Sequence, residues 1–270
     1  MSREVPWRFI KSLAGKKERE KTRMTVAEGP PSVTAALESG VQIEHLVMSQ
    51  SFVRSPKGES VTRLLEKGPA PREVFTVPDD LFERMSETKT PSGVLCVLGV
   101  PFRFPRGLPG SPWKETLQVV GVDIQDPGNV GTLVRAASAV GASLAVFLGA
   151  SADPFSPKCI RSSAGTVFRV AVQCLEQDVA PSDYLSQTAS AGTAVFKAVT
   201  CGGIRPWDAD FTGPTCIVVG NEAKGLGQDV LSAPGQSISI PMPGGTESLN
   251  VAVASGMVLY EALRQRMGHS

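Results

Sequence analysis

The chain has 270 residues, of which 41% are hydrophobic and 20% charged, with a formal net charge of +1. This is ordinary globular usage; it excludes a disordered tail, a collagenous repeat and a small disulfide-stapled module, and at about 150 residues per domain the length predicts two domains. Taken alone, a charge so near zero also argues against a nucleic-acid partner.

From the N-terminus, the stretch Arg8 to Arg23 carries seven basic and two acidic residues and is predicted to form a charged helix. A solvated face and a contact with a polyanion are both open readings of it. The pattern then predicts a helix over Ser32–Ser39, a strand over Ile43–Met48 and a helix over Ser60–Lys67. A strand over Glu73–Val77, a helix over Asp79–Met85 and an apolar strand over Gly93–Gly99 follow. Alternating helix and strand in so short a stretch predicts a small α/β/α sandwich, placed at residues 1–100.

Pro101 to Pro112 holds four prolines and two glycines, which sustain neither a helix nor a central strand. Residues 101–114 are therefore expected to be a linker between domains. Residues 1–111 contain 17 Lys/Arg and 13 Asp/Glu, a net of +4, and residues 112–270 contain 10 and 13, a net of −3. The neutrality of the chain is a cancellation between its halves.

Beyond the linker, Leu117–Val122 is a continuous apolar run ending at Asp123, as a buried parallel strand would be. A helix is predicted over Gly131–Val140, and strands over Leu144–Leu148, Thr193–Ala198, Cys216–Val219 and Ser237–Ile240. The final segment, Leu249–Met267, is apolar nearly all round in its first half, as a helix buried in a core or against another subunit would be. Residues 115–270 thus read as a second, parallel α/β domain.

Five widely spaced cysteines without a C-x-x-C pair predict neither a disulfide framework nor a thiolate metal site, and point to a reducing, cytoplasmic compartment. His45 and His269 are too few for a histidine metal site or an easily built Ser-His-Asp triad. No apolar run approaches the roughly 18 residues of a membrane span, so no membrane partner is expected. Glu4, Glu18 and Glu20 among the early basic residues argue against an organellar transit peptide, although a eukaryotic source would leave an organelle open.

Ligands in open parallel sheets bind beyond the carboxyl ends of strands. Three loops in such positions carry unusual chemistry: Asp123–Gly131 leading into a helix with Arg135, Gly220–Gly227, and Pro241–Ser248 followed by Leu249 and Asn250. Each has a plain alternative, a turn in every case, with Glu222 capping a helix, Ser248 acting as an N-cap and Arg135 forming a surface ion pair. Gly225-Leu-Gly227 lacks the third glycine of the dinucleotide fingerprint, and no phosphate-binding G-x-x-x-x-G-K-[ST] occurs.

Taken in order, Asn129-x-Gly-x-x-x-Arg135, Gly220-Asn-Glu222 with Gly225, and Ile240-Pro-Met242 with Ser248-Leu-Asn250-Val-Ala252 closely resemble the SpoU (TrmH-type) RNA 2′-O-methyltransferases of the SPOUT superfamily. Lys158, Arg161, Ser163, Ala164 and Gly165 resemble that family's segment before a short strand. Ile10-Lys-Ser-Leu13, Lys16-Lys17 and Ala27-Glu28-Gly29 resemble its small substrate-binding domain, with Pro30-Pro31-Ser32 where a basic or bulky residue is more usual.

The resemblance implies a trefoil-knotted α/β domain, S-adenosylmethionine as cofactor, and methyl transfer to a ribose 2′-hydroxyl of RNA, ribosomal RNA of the 23S type above all. Transfer RNA as substrate, or a catalytically silent RNA-binding ribosome-assembly factor of the same fold, are the alternatives. By position, cofactor contacts fall on Gly220, Ile240, Met242 and Leu249, with Leu148 and Gly149 lining the same cavity. Arg135, Glu222, Ser248 and Asn250 form the catalytic group and Asn129 shapes the first loop; Arg135 is either base or phosphate clamp. A homodimer is implied as well, with Val251, Val253, Met257 and Val258 at its interface.

Overall fold

A computed structural model describes residues 4–66, 68–100, 117–175 and 179–268. The chain divides into two compact units: one formed by residues 1–102 with 155–169, the other by 103–154 with 170–270. The expected linker, residues 101–114, lies outside the described residues.

In the first unit, α1 (Trp7–Ser12) and α2 (Lys16–Thr22) precede β1 (Met24–Glu28) and α3 (Pro30–Glu38). Then come β2 (Ile43–Ser49), α4 (Gln50–Val53), α5 (Pro56–Leu65), β3 (Glu73–Val77), α6 (Asp79–Met85) and β4 (Val94–Gly99). The sheet order is β1-β4-β2-β3, with β4 antiparallel to both its neighbours and β2 parallel to β3. Alternate residues of a strand face opposite ways: Val26, Val47, Leu95 and Val97 pack with Ile10, Leu13, Phe82 and Met85. Val94, Cys96 and Leu98, equally buried, are left to the other face. The helix expected over Arg8–Arg23 is two short helices. The chain turns extended at Gly15, and Arg19, only 6% exposed, donates to the carbonyls of Leu13 (3.0 Å) and Ala14 (2.7 Å). One of the seven cations is thus spent inside the fold. The helix expected to start at Ser60 starts at Pro56, because the Ser55 hydroxyl caps it by accepting from the Gly58 N–H (3.1 Å).

The second unit opens with β5 (Leu117–Val122), α7 (Pro127–Ala139) and β6 (Leu144–Leu148). The chain then enters the first unit, where α8 (Pro157–Ser162) packs on β1 and the Thr25 hydroxyl donates to the Phe155 carbonyl (2.7 Å). Back in the second unit follow β7 (Ala171–Leu175), α9 (Pro181–Ser190), β8 (Ala194–Val199), β9 (Thr215–Val219), α10 (Gln228–Ser232), β10 (Gln236–Ser239) and α11 (Val251–Met267). Its six strands are all parallel, in the order β10-β8-β9-β5-β6-β7. Val120, Val146 and Val218 lie in one row across the centre and share a core with Tyr184, Leu185 and Val230. Since β5 has β6 on one side and β9 on the other, the order reverses there, and the loops after β5 and β9 open at the switch point where α/β sheets hold ligands.

Candidate active site

The first loop ends in Asp126, whose carboxylate accepts from the Gly128 N–H (2.9 Å), with Pro127 at the first helical position of α7. Both are standard helix-start devices. They set Asn129, half-buried, in the first turn and Arg135 on the exposed side two turns on. Arg135 has no hydrogen-bond or ion-pair partner among the described residues.

The second loop leaves β9 at Gly220. A Cβ there would stand 2.5 Å from the backbone carbon and oxygen of Gly225 and 2.6 Å from the Leu226 nitrogen, so only glycine fits. Asn221 and Gly225 exchange backbone hydrogen bonds (3.1 and 2.9 Å). The Asn221 side-chain carbonyl accepts from the N–H groups of Ala223 (2.9 Å) and Lys224 (3.0 Å), and its amide donates to the Asp123 carbonyl (2.9 Å). Loop two is therefore closed on itself and tied to loop one. Asn221 and Asp123 are not among the site residues expected from the sequence; an asparagine two residues past a strand end and four residues before a glycine is the signal that finds the first.

Glu222 projects exposed from this turn, and its Oε1 accepts from the Asn129 amide (2.8 Å). The Asn129 carbonyl accepts in turn from the Asn250 amide (3.0 Å). Asn250 is the N-cap of α11: its Oδ1 accepts from the N–H groups of Ala252 (2.9 Å) and Val253 (3.3 Å). The cap fixes the direction of the whole series. With its carbonyl committed to helix N–H groups, Asn250 can offer Asn129 only its NH₂, and Asn129 can then offer Glu222 only its own. The second carboxylate oxygen of Glu222 accepts nothing from the described residues. Ser248, weighed as an N-cap, is not one; Asn250 takes that place. Substituting Asn250 by Ala is expected to cost about 1 kcal/mol, read by denaturant unfolding, while Asn250→Asp keeps the cap and loses only the donor to Asn129.

Beside this series lies a cavity of about 470 Å³. Gly220, Ile240, Met242 and Leu249 all line it, as do Glu222 and Ser248. Lys224, not foreseen, lines it too, and Ile238, Val251 and Val258 supply apolar wall. Asn129 and Asn250 reach the cavity through Glu222, and Arg135 is outside its lining. Leu148 and Gly149, expected there, are elsewhere. Leu148 is fully buried in the sheet core, and Gly149 is glycine because a Cβ would collide with the Asp123 carboxylate, which accepts from the Ala150 N–H (2.7 Å).

The SpoU rRNA Methylase family model matches residues 116–260, and the MRM3-like substrate binding domain matches residues 8–96. The 23S rRNA (uridine(2479)-2′-O)-methyltransferase of Streptomyces viridochromogenes is 29% identical over 94% of this chain and 88% of its own length. The 23S rRNA (guanosine(2553)-2′-O)-methyltransferase of Bacillus subtilis is 30% identical over 93% of this chain and 92% of its own. Among solved structures, the SpoU methyltransferase AviRb of Streptomyces viridochromogenes, in complex with the cofactor AdoMet, superposes with a TM-score of 0.83 at 28% identity, covering 98% of this chain and 99% of that one. With three loops, a parallel sheet and a matching family model over more than half its length, the chain belongs to the SpoU rRNA methylase family.

Proposed function

We propose that this protein transfers a methyl group from S-adenosylmethionine to a ribose 2′-hydroxyl of ribosomal RNA, of the large-subunit 23S kind. The observation that carries the reading is the directed series Asn250–Asn129–Glu222 ending at a cavity walled by Gly220, Ile240, Met242 and Leu249. The relatives named as 23S rRNA 2′-O-methyltransferases support it, and neither the transfer-RNA nor the silent-binder alternative is favoured.

The cavity suits the cofactor. Its volume is within the roughly 300–1,000 Å³ of small-molecule sites, its walls are mainly apolar, and backbone at Gly220 comes to its edge with no side chain in the way. Gly220, Ile240, Met242 and Leu249 would hold the group, which supplies an electrophilic methyl on a sulfonium. Glu222, with one oxygen held by Asn129, keeps the other free to accept the hydrogen bond of an incoming hydroxyl and orient it. Ser248 offers a further hydroxyl on the same wall. Guanidinium groups match phosphate oxygens with paired N–H donors, so Arg135, exposed and unpartnered, is assigned to the phosphate next to the target ribose rather than to proton removal.

Homodimerisation through α11 and trefoil-knotted threading belong to the same proposal and rest on the family resemblance. Val253, Met257, Tyr260 and Met267 are 49 to 69% exposed at helical spacing along one side of α11. Val251 and Val258, named beside them from the sequence, are 8% and 1% exposed and face the core of their own unit. A cytoplasmic setting belongs to the same proposal and rests on the wide spacing of the five cysteines in the sequence. The purified protein, given labelled S-adenosylmethionine and ribosomal RNA from cells lacking the gene, should methylate a defined ribose, located by mapping. Incorporation into transfer RNA alone would move the substrate class; no incorporation into any RNA, with no cofactor binding by calorimetry, would overturn the reading.

A further inference from the structure

Among the described residues, the cavity assigned to the cofactor is lined by two charged side chains, Glu222 and Lys224. One oxygen of Glu222 is held by the Asn129 amide, and Lys224 has no side-chain hydrogen bond or ion pair with the described residues, Glu222 included. The turn that carries both is fixed by its own hydrogen bonds. Asn221 accepts from the N–H groups of Ala223 (2.9 Å) and Lys224 (3.0 Å), and Gly225 closes the turn in left-handed backbone (φ 67°). An exposed lysine in a turn is ordinarily just solvated. This one has its backbone held at the edge of a cavity and its ammonium uncommitted.

The chemistry of S-adenosylmethionine calls for such a group. The molecule is a net cation, with a sulfonium and an α-ammonium, yet its methionine part also carries an α-carboxylate at neutral pH. Glu222 repels that carboxylate and suits the cationic groups, which leaves Lys224 as the cation on the lining that can meet it. Other devices for holding an anion are taken or lie elsewhere. The first N–H groups of α11, those of Ala252 and Val253, donate to the Asn250 side chain, and that of Ala254 donates to the Asn250 carbonyl (2.9 Å). Thr200 and Ser248 offer hydroxyls without charge, and Arg135 is outside the lining. Much of the remaining wall is apolar, with Leu226, Ile238 and Val258 buried, and a carboxylate set against it without a partner is costly to desolvate.

We propose that Lys224 binds the α-carboxylate of S-adenosylmethionine and so selects the intact cofactor over adenosyl compounds that lack this group. This rests on the reading that the cavity holds S-adenosylmethionine. The carboxylate takes no part in the reaction, so Lys224 holds ground state and transition state alike and acts on KM rather than on kcat. S-adenosylhomocysteine keeps the carboxylate, so Lys224 grips the demethylated product as firmly as the cofactor. The two uncommitted cations near the site then divide the ligands, Lys224 taking the cofactor and Arg135 the RNA.

The test is calorimetry of the full chain with S-adenosylmethionine and with its decarboxylated form, which differs by loss of the carboxylate alone. The wild type should bind the intact cofactor about five- to tenfold more tightly, the range for a charge-assisted hydrogen bond partly open to water. Lys224→Ala should lose about five- to tenfold for both S-adenosylmethionine and S-adenosylhomocysteine. The decarboxylated form, whose charges are all positive, should bind this variant as well as the wild type or up to about twofold better. Damage to the loop would weaken every ligand together. Lys224→Arg should keep the preference, and about 1 M potassium chloride should shrink it in the wild type. In methyl transfer, Lys224→Ala should raise KM for S-adenosylmethionine about five- to tenfold with kcat within about twofold of wild type. Equal wild-type affinity for the two forms overturns the proposal, as does a parallel loss of both in Lys224→Ala. Unchanged cofactor affinity in that variant with weaker binding of ribosomal RNA also overturns it, and gives the ammonium to the RNA backbone. If the wild type binds S-adenosylmethionine and Lys224→Ala binds it equally, only the carboxylate assignment fails. If the wild type binds neither form, the cofactor reading itself fails and this assignment falls with it.

Discussion

Arg135→Ala is expected to lower the rate of methyl transfer by about 10²- to 10³-fold while leaving the affinity for S-adenosylmethionine within about twofold of wild type. The first part follows from assigning this guanidinium to the phosphate beside the target ribose, where lost alignment is felt in the rate. The second follows from position: Arg135 is exposed, makes no hydrogen bond or ion pair with the described residues, and does not line the cavity assigned to the cofactor. For the same reason the variant should unfold at the wild-type denaturant concentration, since substituting an exposed, unpartnered side chain is usually worth less than about 0.5 kcal/mol. Single-turnover kinetics with RNA, calorimetry with cofactor and a denaturant melt separate the three quantities. A variant that loses cofactor affinity would remove Arg135 from the RNA side of the reaction.

The reverse pattern is expected of Gly220→Ala. The added methyl would stand 2.5 Å from the Gly225 carbonyl and 2.6 Å from the Leu226 nitrogen, both backbone, so no rotamer change relieves it. The loop must open, breaking the paired hydrogen bonds between Asn221 and Gly225 and shifting Glu222 away from Asn129. Overpacking of this kind costs about 1–3 kcal/mol. Because Gly220 also edges the cavity, cofactor affinity should fall by at least about tenfold, in line with roughly 1.4 kcal/mol of lost binding. Calorimetry and unfolding on one preparation test both, and wild-type values in both would refute the packing argument.

Where a segment folds for local reasons, the sequence reading and the structure agree. Glu73–Val77, Asp79–Met85, Leu117–Val122 and Leu144–Leu148 have the bounds that their patterns predict, the strands as largely apolar runs and Asp79–Met85 as a helix with acidic residues in its first turn. The strand Met24–Glu28 carries no signal of its own, being five residues long, mixing polar with apolar and following a charged stretch, and Ala171–Leu175 is expected only as the short strand that the family resemblance implies. The break at Gly15 was hidden because it is stabilised by Arg19, a residue whose type predicts exposure. The site shows the same division. Gly220, Ile240, Met242 and Leu249 could be placed because resemblance supplied an order of motifs. Leu148 and Gly149 went astray because a glycine after a strand looks alike whether it faces a ligand or, as here, a neighbouring carboxylate. The hydrogen bonds from Asn129 to Glu222 and from Asn250 to Asn129 span 93 and 121 residues. No periodicity reaches across such separations; only the parallel sheet, by bringing the ends of β5 and β9 side by side, makes them neighbours.

The excursion of residues 155–169 into the first unit bears on how this protein can be taken apart or recombined. A cut in the proline-rich stretch leaves the N-terminal fragment without α8, with the Thr25 hydroxyl facing water in place of the Phe155 carbonyl. The complementary fragment keeps α8 but loses the strand against which it packs. A chimaera that exchanges the first unit between relatives would therefore have to carry two non-contiguous stretches, residues 1–102 and 155–169.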